Sequence, residues 1–136
     1  MKFVFAPDSF KGTLSSEQQI ALLKQAAEEI FPGAETVGVP IADGGEGTIR
    51  AVYGTAGGRL KCCQVTDPLG ETIEAEYLIL DDDSVLIEMA QASGITLIPY
   101  KSGNAGKTTS YGTGELIKDA LKNGYQNITV SIGGSA

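Results

Sequence analysis

The chain has 136 residues, 42% of them hydrophobic, enough for one ordinary domain with its own core. It contains no histidine, which excludes Ser-His-Asp and Cys-His nucleophiles, histidine metal sites and a histidine general base. With ten Lys and Arg against seventeen Asp and Glu the formal charge is −7 and no basic run exists, so neither a nucleic-acid polymer nor an anionic membrane is an expected partner.

Residues 2–6 predict a buried strand, with too short an apolar run for a signal peptide, followed by the polar loop Pro7-Asp8-Ser9-Phe10-Lys11-Gly12-Thr13. Ser15 or Ser16 can cap the helix that follows, and Ser15 with Gln18 matches a capping box. Ile20, Leu23, Ala27, Ile30 and Phe31 recur at three- and four-residue spacing as one apolar stripe, and Pro32-Gly33 ends the helix. Val37, Val39 and Ile41 alternate as a second strand that runs into Ala42-Asp43-Gly44-Gly45-Glu46-Gly47-Thr48, and a short helix is expected from about 46 to 53. Strand, loop and helix, twice over, is the pattern of a parallel α/β layer.

The middle of the chain changes character. Residues 59–66 and 72–80 read as strands joined by Asp67-Pro68-Leu69-Gly70, a turn with Asp first, Pro second and Gly fourth. Asp81-Asp82-Asp83 forms another turn before the strand Val85-Leu86-Ile87. This antiparallel meander is expected to be a subdomain or an insertion. The last third returns to α/β: an extended piece over 96–99, a polar stretch over 101–110, a helix opened by Tyr111-Gly112-Thr113-Gly114 and ended by Asn123-Gly124, and a buried strand over 128–132. The chain closes on Gly133-Gly134-Ser135-Ala136, where a strand and Gly-rich loop would ordinarily lead into a helix, so a continuation is expected. No apolar stretch approaches the roughly 20 residues that span a bilayer. Cys62 and Cys63 are adjacent, so on a strand they point to opposite faces. They fit neither a structural disulfide nor a zinc site, and a cytoplasmic location is expected.

Ligands of open α/β sheets bind at the carboxyl ends of strands, where helix N-termini offer amides and positive dipole to an anion. Loops 7–13, 43–48 and 133–136 are therefore candidates for one shared site, and 110–114 can join them. Lys11 is the sole cation of the first loop and is suited to neutralise a transferring phosphate. Asp8 and Asp43 stand at equivalent strand ends, where either can bind Mg²⁺ through water, take a proton from a substrate hydroxyl, or simply cap a turn. Glu46 can meet a substrate hydroxyl or favour the helix start, and Glu88 is open to either reading. Ser110, Tyr111 and Thr113 present hydroxyls to a phosphate or carboxylate, or to the helix end itself. Gly106-Lys107-Thr108 lacks the earlier glycine of a Walker loop, whose place Lys101 takes, and no Gly-x-Gly-x-x-Gly run is present.

Seven runs, Ala6-Pro7-Asp8-Ser9-Phe10-Lys11-Gly12, Ala42–Thr48, Asp67-Pro68-Leu69-Gly70, Ile87-Glu88-Met89-Ala90, Ala92-Ser93-Gly94, Thr108–Ile117 and Ile132–Ala136, resemble in this order the bacterial glycerate kinases of the type 1 kind, along the whole chain. The resemblance implies a phosphotransferase that uses ATP and Mg²⁺ to convert D-glycerate to 2-phosphoglycerate. It implies a discontinuous Rossmann-like α/β/α domain with a parallel sheet, here residues 1–58 and 99–136, and a β-rich segment of a second mixed α/β domain at 59–98. Family members are longer and continue with a Thr-Asn-Asp-Gly-Gly-like run, so this chain is expected to be an N-terminal portion that is inactive alone. Ser9 and Lys11 would lie near glycerate or the transferring phosphate, and Asp43 or Asp8 would activate the hydroxyl. Gly44, Gly45, Gly133, Gly134 and Ser135 would allow close backbone approach. A homo-oligomer is left open. The other readings are a non-catalytic anion-binding α/β module and a structural fragment of a split gene.

Overall fold

The computed structural model describes residues 1–10, 12–99 and 105–136, and the chain separates into two units, Met1–Asp43 and Gly44–Ala136.

In the first unit β1 (Lys2–Phe5) and β2 (Glu35–Gly38) pair in parallel, Lys2 opposite Glu35 and Phe5 opposite Gly38, with α1 (Ser16–Ile30) between them in sequence. The capping box forms as its residues dictate. Ser15 Oγ accepts from the Gln18 amide at 3.2 Å, and Gln18 Oε1 accepts from the Ser15 amide at 2.9 Å. Of the apolar stripe Ile20 and Ala27 are buried. An alanine methyl at Gly38 would collide with the Ile20 side chain, so the glycine sets how closely β2 and α1 approach. The strand expected to be buried is not: Phe3 stacks on Phe5 and meets Phe31, while Val4, on the opposite face, is 62% exposed. Alternation sends neighbouring side chains to opposite faces of a strand. The second strand stops at Gly38 rather than Ile41. The Val39 amide still donates to Phe5 O, but Pro40 has no N–H to continue the ladder.

The second unit holds α2 (Thr48–Ala56), β3 (Arg59–Thr66), β4 (Thr72–Ile79), β5 (Val85–Glu88), α3 (Ala90–Ser93), α4 (Tyr111–Lys122) and β6 (Ile128–Ser131). Its sheet runs β3-β4-β5-β6, antiparallel in the first two pairings and parallel between β5 and β6. The period-two alternation divides the core. Val65, Ala75, Tyr77, Ile79, Val85 and Ile87 pack with Leu116 and Ala120 of α4, while Leu78 and Leu86 pack with Ile49 of α2. All four residues of β5 are buried, as befits a strand inside the sheet and covered on both faces; all four pair with β6, and Val85 and Leu86 also with β4.

The turn at 67–70 forms as its residues predict. Asp67 Oδ1 accepts from the amides of Leu69 at 2.8 Å and Glu71 at 2.9 Å, and Gly70 takes φ 95°. Residues 95–97 form a 3₁₀ turn where an extended piece was expected, and α3 was not anticipated, being too short to show helical periodicity. The fold is mixed α/β with parallel and antiparallel pairing. β6, which the family resemblance assigns with the first strands, here lies in one sheet with the meander. No described helix is long and apolar enough to cross a membrane.

Candidate functional site

β5 and β6 are parallel, so their carboxyl ends, Glu88 and Ser131, emerge side by side in register. Next to them, within the second unit, lies the turn that opens α2. The Gly133 amide donates to Gly44 O at 2.9 Å. An alanine Cβ at Gly133 would stand 2.5 Å from Gly45 N, and one at Gly134 would stand 3.3 Å from Glu46 Oε2. Two glycine runs distant in sequence thus touch backbone to backbone, which only residues without a side chain permit. The Met89 amide donates to Ser131 O at 3.0 Å and the Ile95 amide to Gly134 O at 2.8 Å, which ties the strand ends to the stretch leading through α3.

Gly47 is the N-cap of α2 at φ 90° and has no side chain to cap with. Glu88 supplies the cap from the end of β5. Its Oε1 accepts from the Gly47 amide at 3.2 Å and from Gln91 Nε2 at 3.3 Å, and its Oε2 accepts from the Ile49 amide at 2.9 Å. The amides expected to be offered to an anion are therefore partly filled by an internal carboxylate, which the helix dipole also favours. Burial pushes the Glu88 carboxyl above the ordinary glutamate range despite its three donors, and the neighbouring Glu46 charge adds to the push. A raised carboxyl pKa means that this group's contribution to stability is complete below the ordinary glutamate range and is lost as pH rises through the raised value. The unfolding free energy of the wild type, minus that of Glu88→Gln, should accordingly fall as pH rises across that window. A difference flat with pH would show that the carboxyl is not perturbed.

Both carboxylate oxygens of Glu46 are buried and lack a hydrogen-bond partner among the described residues, as does Ser131 Oγ. Buried acceptors without donors call for a partner that brings O–H, N–H or a cation. A cavity of about 450 Å³ adjoins, lined by Glu46, Glu74, Glu88, Arg50 and Gln91 among others. Arg50, the one cation among the described residues that line it, pairs with Glu76 at 2.6 Å. The surroundings of α2 suit a hydroxyl-bearing group better than a bare phosphate.

At α4, Ser110 occupies the N-cap without a side-chain cap bond, and Tyr111 is 64% exposed. Thr113 is buried with its hydroxyl engaged to Ser93 Oγ at 2.7 Å. Gly112 packs so closely on Thr66 O that a methyl there would overlap it. Ser135 is exposed and forms an isolated bridge with Gly94.

Asp8, Ser9 and Asp43 belong to the first unit. Asp8 is exposed, its Oδ1 accepting from the Ser9 amide at 2.7 Å, and Gln19 Nε2 donates to Asp8 O at 2.7 Å. Asp43 is exposed at the end of that unit, and Lys11 lies outside the described residues. The sequence reading brought out Gly44, Gly45, Glu46, Gly133 and Gly134, which the structure gathers. It left Glu88 open and passed over Ser131. The available signal was a carboxylate ending the apolar run Val85-Leu86-Ile87, next to a buried strand's exit.

The model of the Glycerate kinase family matches residues 3–136. The chain belongs to the glycerate kinase family. It is 47% identical over 137 residues to the Glycerate 2-kinase of Escherichia coli (strain K12) and 45% identical over 137 residues to the Glycerate kinase of Haemophilus influenzae. Each alignment covers all of this chain and 36% of the relative. The crystal structure of a Salmonella typhimurium LT2 protein assigned as glycerate kinase 2 superposes with a TM-score of 0.67 at 45% identity, over 99% of this chain and 36% of that one. The chain thus spans about 36% of the length of the glycerate kinases it matches. Among the described residues no three Asp, Glu or Cys side chains group as a metal-binding set.

Proposed function

We propose that this chain is the N-terminal portion of a glycerate kinase that transfers the γ-phosphoryl of ATP to D-glycerate, giving 2-phosphoglycerate in the cytoplasm. The observation that carries the reading is the family match over residues 3–136, supported by relatives whose names specify glycerate kinase and, in one case, phosphorylation at the 2-position.

In the second unit Glu46 accepts a hydrogen bond from a substrate hydroxyl, which its buried oxygens, without a donor among the described residues, favour. Gly44, Gly45, Gly133, Gly134 and Ser135 allow backbone to come close to the ligand, and Ser110, Tyr111 and Thr113 present the opening of α4. In the first unit Ser9 and Lys11 meet the substrate or the transferring phosphate, and Asp43 or Asp8 takes the hydroxyl proton. ATP with Mg²⁺ supplies the phosphoryl group and neutralises its charge. Mg²⁺ is ordinarily held by one or two carboxylates together with phosphates and water, so it needs no cage of several protein ligands, and Asp8 or Asp43 is a carboxylate that can hold it through water. The Rossmann-like domain of residues 1–58 and 99–136 and the second domain represented by 59–98 belong to this reading of the whole enzyme.

A coupled ADP-release assay with D-glycerate tests it. The complete product of the gene that encodes this chain should turn over, and the 136-residue chain alone should not. A complete product that binds phosphate or carboxylate but consumes no ATP would favour the anion-binding module instead.

A further inference from the structure

We propose that Glu88 is a positioning residue, the clamp that sets the turn 44–49, and with it the Glu46 carboxylate, for the acceptor substrate; this rests on the kinase reading above. Glu88 is 1% exposed and ends β5, a strand inside the sheet with all four residues buried, where it pairs with Ser131 of β6. Its two oxygens reach α2 across gaps of 41 and 39 residues and take the amides of Gly47 and Ile49, on either side of Thr48. Thr48 Oγ1 in turn donates to Gly45 O at 2.7 Å, so the hold passes back along the turn to the glycines that rest on Gly133. Glu46 is bracketed between these two anchored points, Gly45 and Gly47. Gln91 Nε2 steadies the carboxylate from α3.

Such a clamp has a chemical signature. A carboxylate accepts with both oxygens, whereas a glutamine of the same shape must turn an NH₂ group toward one of two amide donors. Glu88→Gln keeps the volume and loses the fit.

In the complete gene product, Glu88→Gln should speed hydrogen exchange at the Gly47 and Ile49 amides and lower kcat with D-glycerate about 10- to 100-fold, the scale of a misplaced reacting group. KM for ATP should be unchanged. Tyr77→Phe serves as the comparison, since it removes the hydroxyl that donates to Asp119 at 2.9 Å on the other core face and lowers the unfolding midpoint without touching the turn. If Glu88→Gln turns over like wild type, or if both variants lose activity in proportion to their loss of stability, Glu88 only supports the fold and the proposal is overturned. If the wild-type product has no kinase activity, the functional reading fails by itself. Exchange at the two amides then decides the clamp, and unchanged exchange in Glu88→Gln overturns it.

Discussion

Gly133→Ala should destabilise the second unit by about 3 kcal/mol or more, the upper end of what overpacking costs. The added methyl would stand 2.5 Å from Gly45 N, 2.8 Å from the Gly44 carbonyl carbon and 2.8 Å from Gly45 Cα. Every one of these neighbours is backbone, so no flexible side chain can swing aside. Relief requires the two glycine runs to part, and the 2.9 Å hydrogen bond from the Gly133 amide to Gly44 O must lengthen with them. The comparison is Gly54→Ala, an interior position of α2 where a methyl meets nothing within 4 Å. There the gain in helix propensity should stabilise by about 0.5–1 kcal/mol. Urea unfolding of the two variants should move the midpoint in opposite directions. An unshifted midpoint for Gly133→Ala would mean that the runs 44–45 and 133–134 do not pack as described.

Lys11→Ala should reduce turnover of the complete enzyme at least ~100-fold, the scale of losing one preorganised charge-stabilising donor. Phosphoryl transfer asks little covalent chemistry of a protein and depends on positioning and on neutralising the charge spread over the transferred group. This chain has ten cations in all and no histidine, and Lys11 is the sole cation in the loop that follows the first strand. In the second unit, Arg50 is already paired with Glu76, and the other charged residues lining the cavity beside α2 are the acids Glu46, Glu74 and Glu88. Lys11 is the sequence's own candidate for the neutralising charge. Lys11→Arg keeps the charge but changes its reach and shape, so it should restore only part of the rate. Near wild-type turnover in Lys11→Ala would remove the residue from the mechanism.

Much of the local structure was legible in advance because its causes are short-range. Ser15 and Gln18 close their capping box within one helical turn, Asp67 folds its own turn through the amides of Leu69 and Glu71, and Val85-Leu86-Ile87 forms a strand. The glycines of 44–45 and 133–134 stood out for the same reason, since such residues mark places where backbone must come close. Pro40, which lies inside the alternating run Val37, Val39 and Ile41, shows how one missing amide shortens such a run.

The sequence by itself determined the longer helices and strands, the main turns, and which family the chain resembles, because periodicity, capping and turn chemistry act between residues a few positions apart. Only the tertiary structure decided that β6 lies against β5 and that Gly133 rests on Gly45. It also decided that Glu88 fills the start of α2 and that Glu46 has no donor among the described residues. Those outcomes depend on which distant segments come together once the core is buried, and a buried carboxylate gains its partners from that packing and from nothing adjacent to it in the chain.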